Sequence, residues 1–250
     1  NRHNKIFMKV EPLDEKIAEM IRDGTLNEYK DTKEVAEILR NAGWDRDEAK
    51  RVMRFDPRGN VMVDGTKGVQ FIQESSDSIL SGFEDTMKEG PLTREQVRGC
   101  KFVFHHFVPH EDPAHRGLSQ LGPASRRACM GVMLSAQPVL LEPTLGIEVR
   151  VPQEMIGNVA GVISGKRGKV LNMEQKGVVH ILTGELPASE TFDLSEVMRG
   201  QTAGKAMWNT HFKAWTPVPN SVLLTLMGEI RKRKGLSPEP PTVDEFIDQE

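Results

Sequence analysis

Histidines are concentrated in one short stretch of the sequence. Four of the seven lie within eleven residues together with an aspartate, and the group is His105, His106, His110, Asp112 and His115. Imidazole and carboxylate groups bind zinc or iron, and imidazole also exchanges protons near neutral pH. The first two histidines fall in an apolar run typical of a strand, where neighbouring side chains point to opposite faces. We therefore expect one of them to be packed and the other exposed, and they cannot share one metal ion.

The remaining three side chains could converge on a metal only if the loop folds back on itself. No second pair of ligands elsewhere completes a recognised pattern such as HExxH. A metal-dependent hydrolase that uses His110, Asp112 and His115 stays open as an alternative, although the spacing does not favour it.

Other catalytic motifs are missing from the sequence. Cys100 and Cys129 lie in no nucleophile signature, and we expect both to be packed as small apolar side chains. Gly-Lys pairs at 165–166 and 204–205 fail the spacing of a phosphate-binding loop, and an arginine follows the first pair where a hydroxyl is needed. We expect no catalytic residue and no bound cofactor or metal in this chain.

The histidine loop, residues 109–117, has the composition of a recognition loop. Two prolines stiffen it and Gly117 permits a tight turn. His110, His115 and Arg116 offer donors to phosphates or base edges. These features indicate RNA binding, and a free-standing RNA-binding protein and a simple solvated loop both remain alternatives.

Composition bounds the remaining function classes. The net charge of −3 excludes a polycation that coats nucleic acid, but a local basic face remains possible. Two cysteines predict a reducing, cytoplasmic location, and no apolar run is long enough to span a membrane. The chain starts at Asn1 without a methionine, so we expect it to be a piece of a longer polypeptide.

Apolar spacing predicts the elements that must position the loop. Strands are expected at 6–10, 60–64 and 101–108. Helices are expected at 13–24, 32–43, 69–90 and 120–135, with a short one after Asp45. The loop therefore connects a strand to a helix.

In the second half of the chain, apolar spacing predicts strands at 144–151, 168–174, 178–186 and 206–215. A helix is predicted at 152–164, with proline in its first turn, and another at 195–204, capped by Ser195. This βαββαβ order is typical of a ferredoxin-like domain. A further helix at 221–234 ends in a basic run, and an acidic tail follows.

Several motifs in order along the chain resemble the translation elongation factor 2 family, in its archaeal form. They are NRHNKIFMKVEPL, PHEDPAHRG, QLGPASRRA, LLEP, IGNVAGVISGKRGKV and EIRKRKGL. The resemblance covers the whole chain and implies an α+β fold of two domains. Residues 1–141 would form domain IV, an elongated domain like ribosomal protein S5, and residues 142–216 the ferredoxin-like domain V. Residues 217–250 would be a C-terminal helix and tail that return to domain IV.

The resemblance also implies a function. Domain IV of this family enters the ribosomal decoding centre during translocation of transfer RNA and messenger RNA. His115 matches the histidine that is modified to diphthamide, so diphthamide-synthesis enzymes become partners. The residues implied to contact the ribosome at the tip of domain IV are Arg2, His3, Asn4, His110, Asp112, Arg116 and Gly117.

Lys166 and Arg167 could contact ribosomal RNA at the stalk base, and a solvated helix end is the alternative for them. GTP and Mg would bind an N-terminal GTPase domain that this fragment lacks. The resemblance implies a monomer that is not bound to a membrane.

Overall fold

Two sheets, each with its own helices, make up the chain, as seen in a computed structural model that describes residues 4–66 and 72–247. One compact unit comprises Asn1–Pro138 with Thr225–Glu250, and the other comprises Val139–Leu224. The sequence boundaries were expected after residues 141 and 216. Leu140 lies in the second unit because its carbonyl accepts a hydrogen bond from the amide of Val218, at 2.9 Å.

The sheet of the first unit contains β1 (Lys5–Pro12), β2 (Val52–Asp56), β3 (Asn60–Asp64) and β4 (Cys100–Val108). Their order is β1-β4-β3-β2, in which β3 and β4 run parallel and the outer pairs run antiparallel. Strand β2 has no counterpart in the sequence prediction, because the five-residue run VMRFD is short and interrupted by Arg54.

Helices cover both faces of this sheet. They are α1 (Glu15–Arg22), α2 (Thr32–Asn41), the short α3 (Arg46–Ala49), α4 (Ile72–Lys88) and α5 (Leu118–Ser135). Met62 belongs to the core with α4 and α5, whereas its neighbours Val61 and Val63 belong to the core with α1 and α2. Because neighbouring side chains of β3 point to opposite faces of the sheet, this one strand contributes residues to both cores. The side-chain carboxylates of Asp14, Asp31 and Asp45 accept hydrogen bonds from the first turns of α1, α2 and α3.

Helices α4 and α5 cross closely at a glycine. A methyl group added at Gly82 would lie 2.4 Å from the carbonyl oxygen of Gly122 and 2.5 Å from the amide nitrogen of Arg126. The Ser125 hydroxyl donates to the carbonyl of Ile79 at 2.7 Å across the same contact. The small residues Gly82, Gly122 and Ser125 therefore allow the two backbones to approach each other.

The sheet of the second unit contains β5 (Leu141–Pro152), β6 (Lys169–Lys176), β7 (Val179–Pro187) and β8 (Met207–Pro217). Neighbours are antiparallel in the order β6-β7-β5-β8, and α6 (Ile156–Gly165) and α7 (Leu194–Thr202) pack on one face. The predicted α+β class and the ferredoxin-like βαββαβ order are confirmed.

Two predicted helix starts in this unit were wrong. Ser195 lies inside α7, and Asp193 occupies the N-cap position without bonding the helix through its side chain. Pro152 ends β5, and a 3-10 turn at Gln153–Met155 separates it from α6. Neither α6 nor α7 has a side-chain hydrogen bond at its N-cap.

The last helix, α8 (Asn220–Arg233), begins in the second unit and ends in the first. Its buried Arg231 donates to the carbonyls of Leu92 and Ser237, and Lys234 pairs with Glu95 at 2.6 Å. Phe246, in the tail beyond the helix, packs against Gly131 of α5. None of the helices in the described ranges is long and apolar enough to cross a lipid bilayer.

Candidate functional site

The histidine loop and the first described residues of the chain lie at the same end of the first sheet. Lys5 at the start of β1 pairs with Val108 at the end of β4, so the segments just outside these positions are neighbours. The loop runs from there into α5, which begins at Leu118. Arg2 and His3 lie outside the described residues, and only Asn4 of the predicted N-terminal group can be located.

Asn4 forms hydrogen bonds to the loop main chain through both the nitrogen and the oxygen of its side-chain amide. Its Nδ2 donates to the carbonyl of His115 at 2.7 Å, and its Oδ1 accepts from the amide of His110 at 3.0 Å. The residue is 5% exposed. Asn4 is thus built into the base of the loop, and its buried amide supports the loop backbone.

Asp112 shapes the part of the loop that carries His115. Its Oδ1 accepts from the amide of Ala114 at 2.9 Å, which caps a 3-10 turn at Pro113–His115. The amide of Asp112 donates to Nδ1 of His110 at 3.1 Å. In this arrangement Nδ1 of His110 is an acceptor, so the neutral ring carries its proton on Nε2.

The two loop histidines are packed together. The ring centroids of His110 and His115 are 4.6 Å apart, and the rings meet edge to face at 76°. Both residues are half-buried, while Glu111 to Ala114 between them are exposed. The imidazole of His115 is therefore held in one orientation at the surface of an ordered loop.

Arg116 and Gly117 occupy different environments from those the sequence suggests. The Arg116 side chain is only 9% exposed, and its Nη2 lies 3.9 Å from a carboxylate oxygen of Glu74 in α4. Gly117 has φ −74° and ψ 171°, which any residue adopts. The expected tight turn at Gly117 is absent, because the chain enters α5 in an extended conformation.

His105 and His106 are both exposed, so the expectation of one packed residue was wrong. A β-bulge is the reason. Phe7 pairs with His106 and Met8 pairs with Phe104, which leaves His105 as the extra residue. The bulge shifts the alternation by one position, so that Phe104 and Phe107 both face the core.

Within the described ranges, no three histidine, cysteine or acidic side chains are grouped so that they could hold a metal ion. In the proposed set of His110, Asp112 and His115, Nδ1 of His110 and Oδ1 of Asp112 each accept a main-chain hydrogen bond instead of facing a common centre. The metal-dependent hydrolase is therefore not favoured.

Burial makes both cysteine thiols poor nucleophiles. It raises the pKa of Cys100 to about 11 and that of Cys129 to about 12, from an ordinary value of 9.0. Because a thiolate is the reactive form, neither thiol is activated at neutral pH.

Lys166 and Arg167 at the end of α6 have acidic partners in their own unit. Lys166 is 9% exposed and pairs with Asp193. Arg167 binds both carboxylate oxygens of buried Glu142, at 2.8 and 2.9 Å, and its Nε donates to Glu190 at 2.7 Å. The hydrogen bonds to Glu142 are the main reason that the pKa of Arg167 is raised. These charges are compensated inside the unit, in place of the solvated helix end that was the alternative.

Two features of the first unit were not among the predicted site residues. Glu74 pairs with Arg116, and Phe7 exposes its ring on β1 beside His106. A sequence signal exists for Phe7, since it lies between lysines at alternate positions of a predicted strand. No comparable signal exists for Glu74, whose position depends on how α4 packs.

Comparison with known proteins connects both units to one family. Residues 24–137 match the model for elongation factor G, domain IV, and residues 139–226 match the model for the elongation factor G C-terminus. The chain is 68% identical over its full length to elongation factor 2 of Cenarchaeum symbiosum. It is 49% identical over 99% of its length to the elongation factor 2 proteins of Staphylothermus marinus and Sulfurisphaera tokodaii.

The chain spans 34% of the length of each of these relatives. The two matched family models adjoin each other near residue 138, where the structure also separates its two units. The chain belongs to the elongation factor 2 family and carries its domain IV followed by its C-terminal domain.

Proposed function

We propose that this chain is the ribosome-binding C-terminal part of a GTP-dependent translocase. The histidine loop, residues 109–117, would enter the decoding centre and promote movement of transfer RNA and messenger RNA. The observation that carries this proposal is the loop itself, in which the buried amide of Asn4 bonds the main chain at both His110 and His115. A loop that is ordered before contact loses less entropy on binding.

His115 is the proposed site of diphthamide. The main chain of His115 is held by the 3-10 turn at Pro113–His115 and by Asn4, and the four residues before it are exposed. A modifying enzyme could therefore reach the loop without unfolding it. The added quaternary ammonium group would suit surroundings crowded with phosphates.

The remaining roles follow from the same proposal. His110 and the exposed loop backbone would contact RNA, while Asn4, Asp112 and Arg116 would position the loop. GTP hydrolysis, with its Mg, would belong to a part of the protein that this chain does not span. The protein would act as a monomer in the cytoplasm, with the ribosome and the diphthamide-synthesis enzymes as its partners.

The proposal also includes contact with ribosomal RNA at the stalk base. Lys166 and Arg167 remain candidates, but their ion pairs with Asp193, Glu142 and Glu190 would have to be broken or shared.

Tandem mass spectrometry of protein from its native host tests the proposal. Trypsin would release residues 102–116, so that all four clustered histidines share one peptide and fragment ions distinguish them. We expect a diphthamide-sized addition on His115 and none on the other three. The same chain made in a bacterial host is the control and should carry plain histidine. Unmodified His115 in native protein would contradict the proposed role.

A further inference from the structure

One face of the first sheet carries an exposed aromatic ring between two lysines. Along β1, Lys5, Phe7 and Lys9 alternate outward, while Ile6 and Met8 pack on the core. Phe7 is 46% exposed, although a phenylalanine in a sheet is ordinarily buried. The exposed ring is therefore a feature that packing alone does not explain.

Strand β4 extends the same surface. His106 lies directly opposite Phe7 and Val108 lies opposite Lys5. The rings of Phe7 and His106 are 5.6 Å apart and tilted by 44°. Val108 is 45% exposed, and the histidine loop begins at the next residue. We call the surface formed by Lys5, Phe7, Lys9, His106 and Val108 the strand platform.

The charge of the strand platform is positive. Glu11, the next outward residue on β1, already pairs with Lys101 at 3.0 Å. Lys5 and Lys9 lie on either side of the Phe7 ring, with their Cα atoms about 13 Å apart along the strand. Lysines on an edge strand also discourage pairing with other strands, but that role needs no exposed ring.

We propose that the strand platform binds RNA beside the histidine loop. The Phe7 ring, supported by His106, would stack on a base or ribose, and Lys5 and Lys9 would bind phosphates on either side. Aromatic rings flanked by cations are the means by which proteins hold RNA strands without reading sequence. This inference rests on the proposed ribosome-binding function, and it extends the contact from the loop onto the sheet.

The test compares two matched double variants. Phe7→Thr with Lys9→Gln changes the strand platform. Tyr29→Thr with Lys33→Gln removes an aromatic ring and a lysine that are also exposed but lie elsewhere in the unit. Each chain is labelled with a fluorophore and titrated with purified archaeal small ribosomal subunits at two salt concentrations.

We expect the platform variant to bind about tenfold more weakly than the parent, since stacking on one base and contact with one phosphate are lost. The slope of its log binding constant against log salt concentration should become shallower by an amount equal to about one phosphate contact. The control variant should bind like the parent. Equal affinities of the two double variants would overturn the proposal that the strand platform binds RNA.

A third variant keeps the test valid if the platform variant does not fold. Phe7→Trp preserves an aromatic ring, and its fluorescence, after subtraction of the parent's signal, should be quenched when small subunits bind. Binding without any change in this fluorescence would overturn the platform. Failure of the parent chain to bind subunits at all would instead overturn the ribosome-binding function, and the platform with it.

Discussion

At the scale of single residues, the site depends on groups that hold the loop as much as on groups that face outward. Asn4 and His115 are 111 positions apart, yet the side-chain amide of one bonds the main chain of the other. A buried amide that satisfies both a donor and an acceptor is costly to replace, because each partner is then left without a hydrogen bond. The loop conformation is therefore encoded partly by a residue that is 111 positions away in the sequence but adjacent in the fold.

Replacing Asn4 by alanine should loosen the histidine loop. We expect the free energy of unfolding to fall by about 2 kcal/mol, because the amide of His110 and the carbonyl of His115, both partly buried, lose their partner. Amide hydrogen exchange should become faster at His110, whose N–H donates to the Asn4 side chain in the parent.

Asn27→Ala is the matched control. Asn27 makes the same two kinds of bond, to the carbonyl of Gly24 and from the amide of Tyr29, but at the surface. Its loss should cost well under about 1 kcal/mol and leave exchange at His110 unchanged. Equal effects of the two variants would show that Asn4 has no special role in the loop.

The buried thiols predict how stability depends on alkaline pH. The folded state keeps the protons of Cys100 and Cys129 up to a pKa of about 11 and about 12, whereas an unfolded thiol loses its proton near 9.0. The unfolded state then binds fewer protons, so these thiols should lower stability as pH rises above 9. Denaturant titrations at pH 7 and pH 10 measure this effect.

The Cys100→Ala/Cys129→Ala double variant should have a shallower decline between these two pH values. Thiol labelling of the native parent should also be slow at pH 8 and become rapid after unfolding. Rapid labelling of the folded chain would contradict the burial of Cys129 and the partial burial of Cys100.

At the scale of elements, local irregularities decide what the strands and helices present. The bulge in β4 exposes both His105 and His106. Gly117 has an extended backbone, and α5 begins at the next residue, so the histidine loop ends there. In the second unit, the end of α6 is held against β5 by Arg167, which has a left-handed φ of 54°. The bidentate bond to Glu142 compensates a carboxylate that would otherwise be buried alone.

Arg167→Met should therefore destabilise the second unit. We expect the free energy of unfolding to fall by about 2 kcal/mol. This is less than the full cost of breaking a buried ion pair, because the arginine is partly exposed. Arg150→Met is the control, since Arg150 pairs with Glu148 at the surface and should cost less than about 1 kcal/mol. Chemical denaturation of both variants measures the difference, and equal losses would contradict a structural role for Arg167.

At the scale of the whole molecule, the two units have separate hydrophobic cores. Two core clusters lie in the first unit, on opposite faces of its sheet, and a third lies in the second unit between its sheet and α6 and α7. The net charge of −3 is small and negative, so the proposed attraction to RNA would have to come from local groups such as the strand platform.

Separate cores predict two unfolding transitions in calorimetry. Gly82→Ala should lower only the melting temperature of the first unit, because the added methyl group would overlap the backbone of α5. Arg167→Met should lower only that of the second. Gly228→Ala, whose methyl group would meet open space, is the control for the first unit. A single transition that both destabilising variants shift together would contradict independent units.

Much of the fold could be predicted from the sequence because its signals are local. Aspartates before α2 and α3, apolar spacing along the helices, and the βαββαβ order of the second unit all depend on neighbouring residues. The motifs around His115 likewise lie within a few positions of each other, so the family and the proposed modification site could be inferred from the sequence alone.

Tertiary structure alone decided which of those residues are exposed and which are supports. The bulge at His105, the burial of Asn4 and the ion pair of Arg167 with Glu142 each depend on partners from distant parts of the chain. Sequence identifies a residue's chemistry, but its solvent exposure and its hydrogen-bond partners are set by the packing of other elements around it. For that reason the histidine loop was predictable, whereas the supporting role of the Asn4 amide and the pairing of Phe7 with His106 in the strand platform were not.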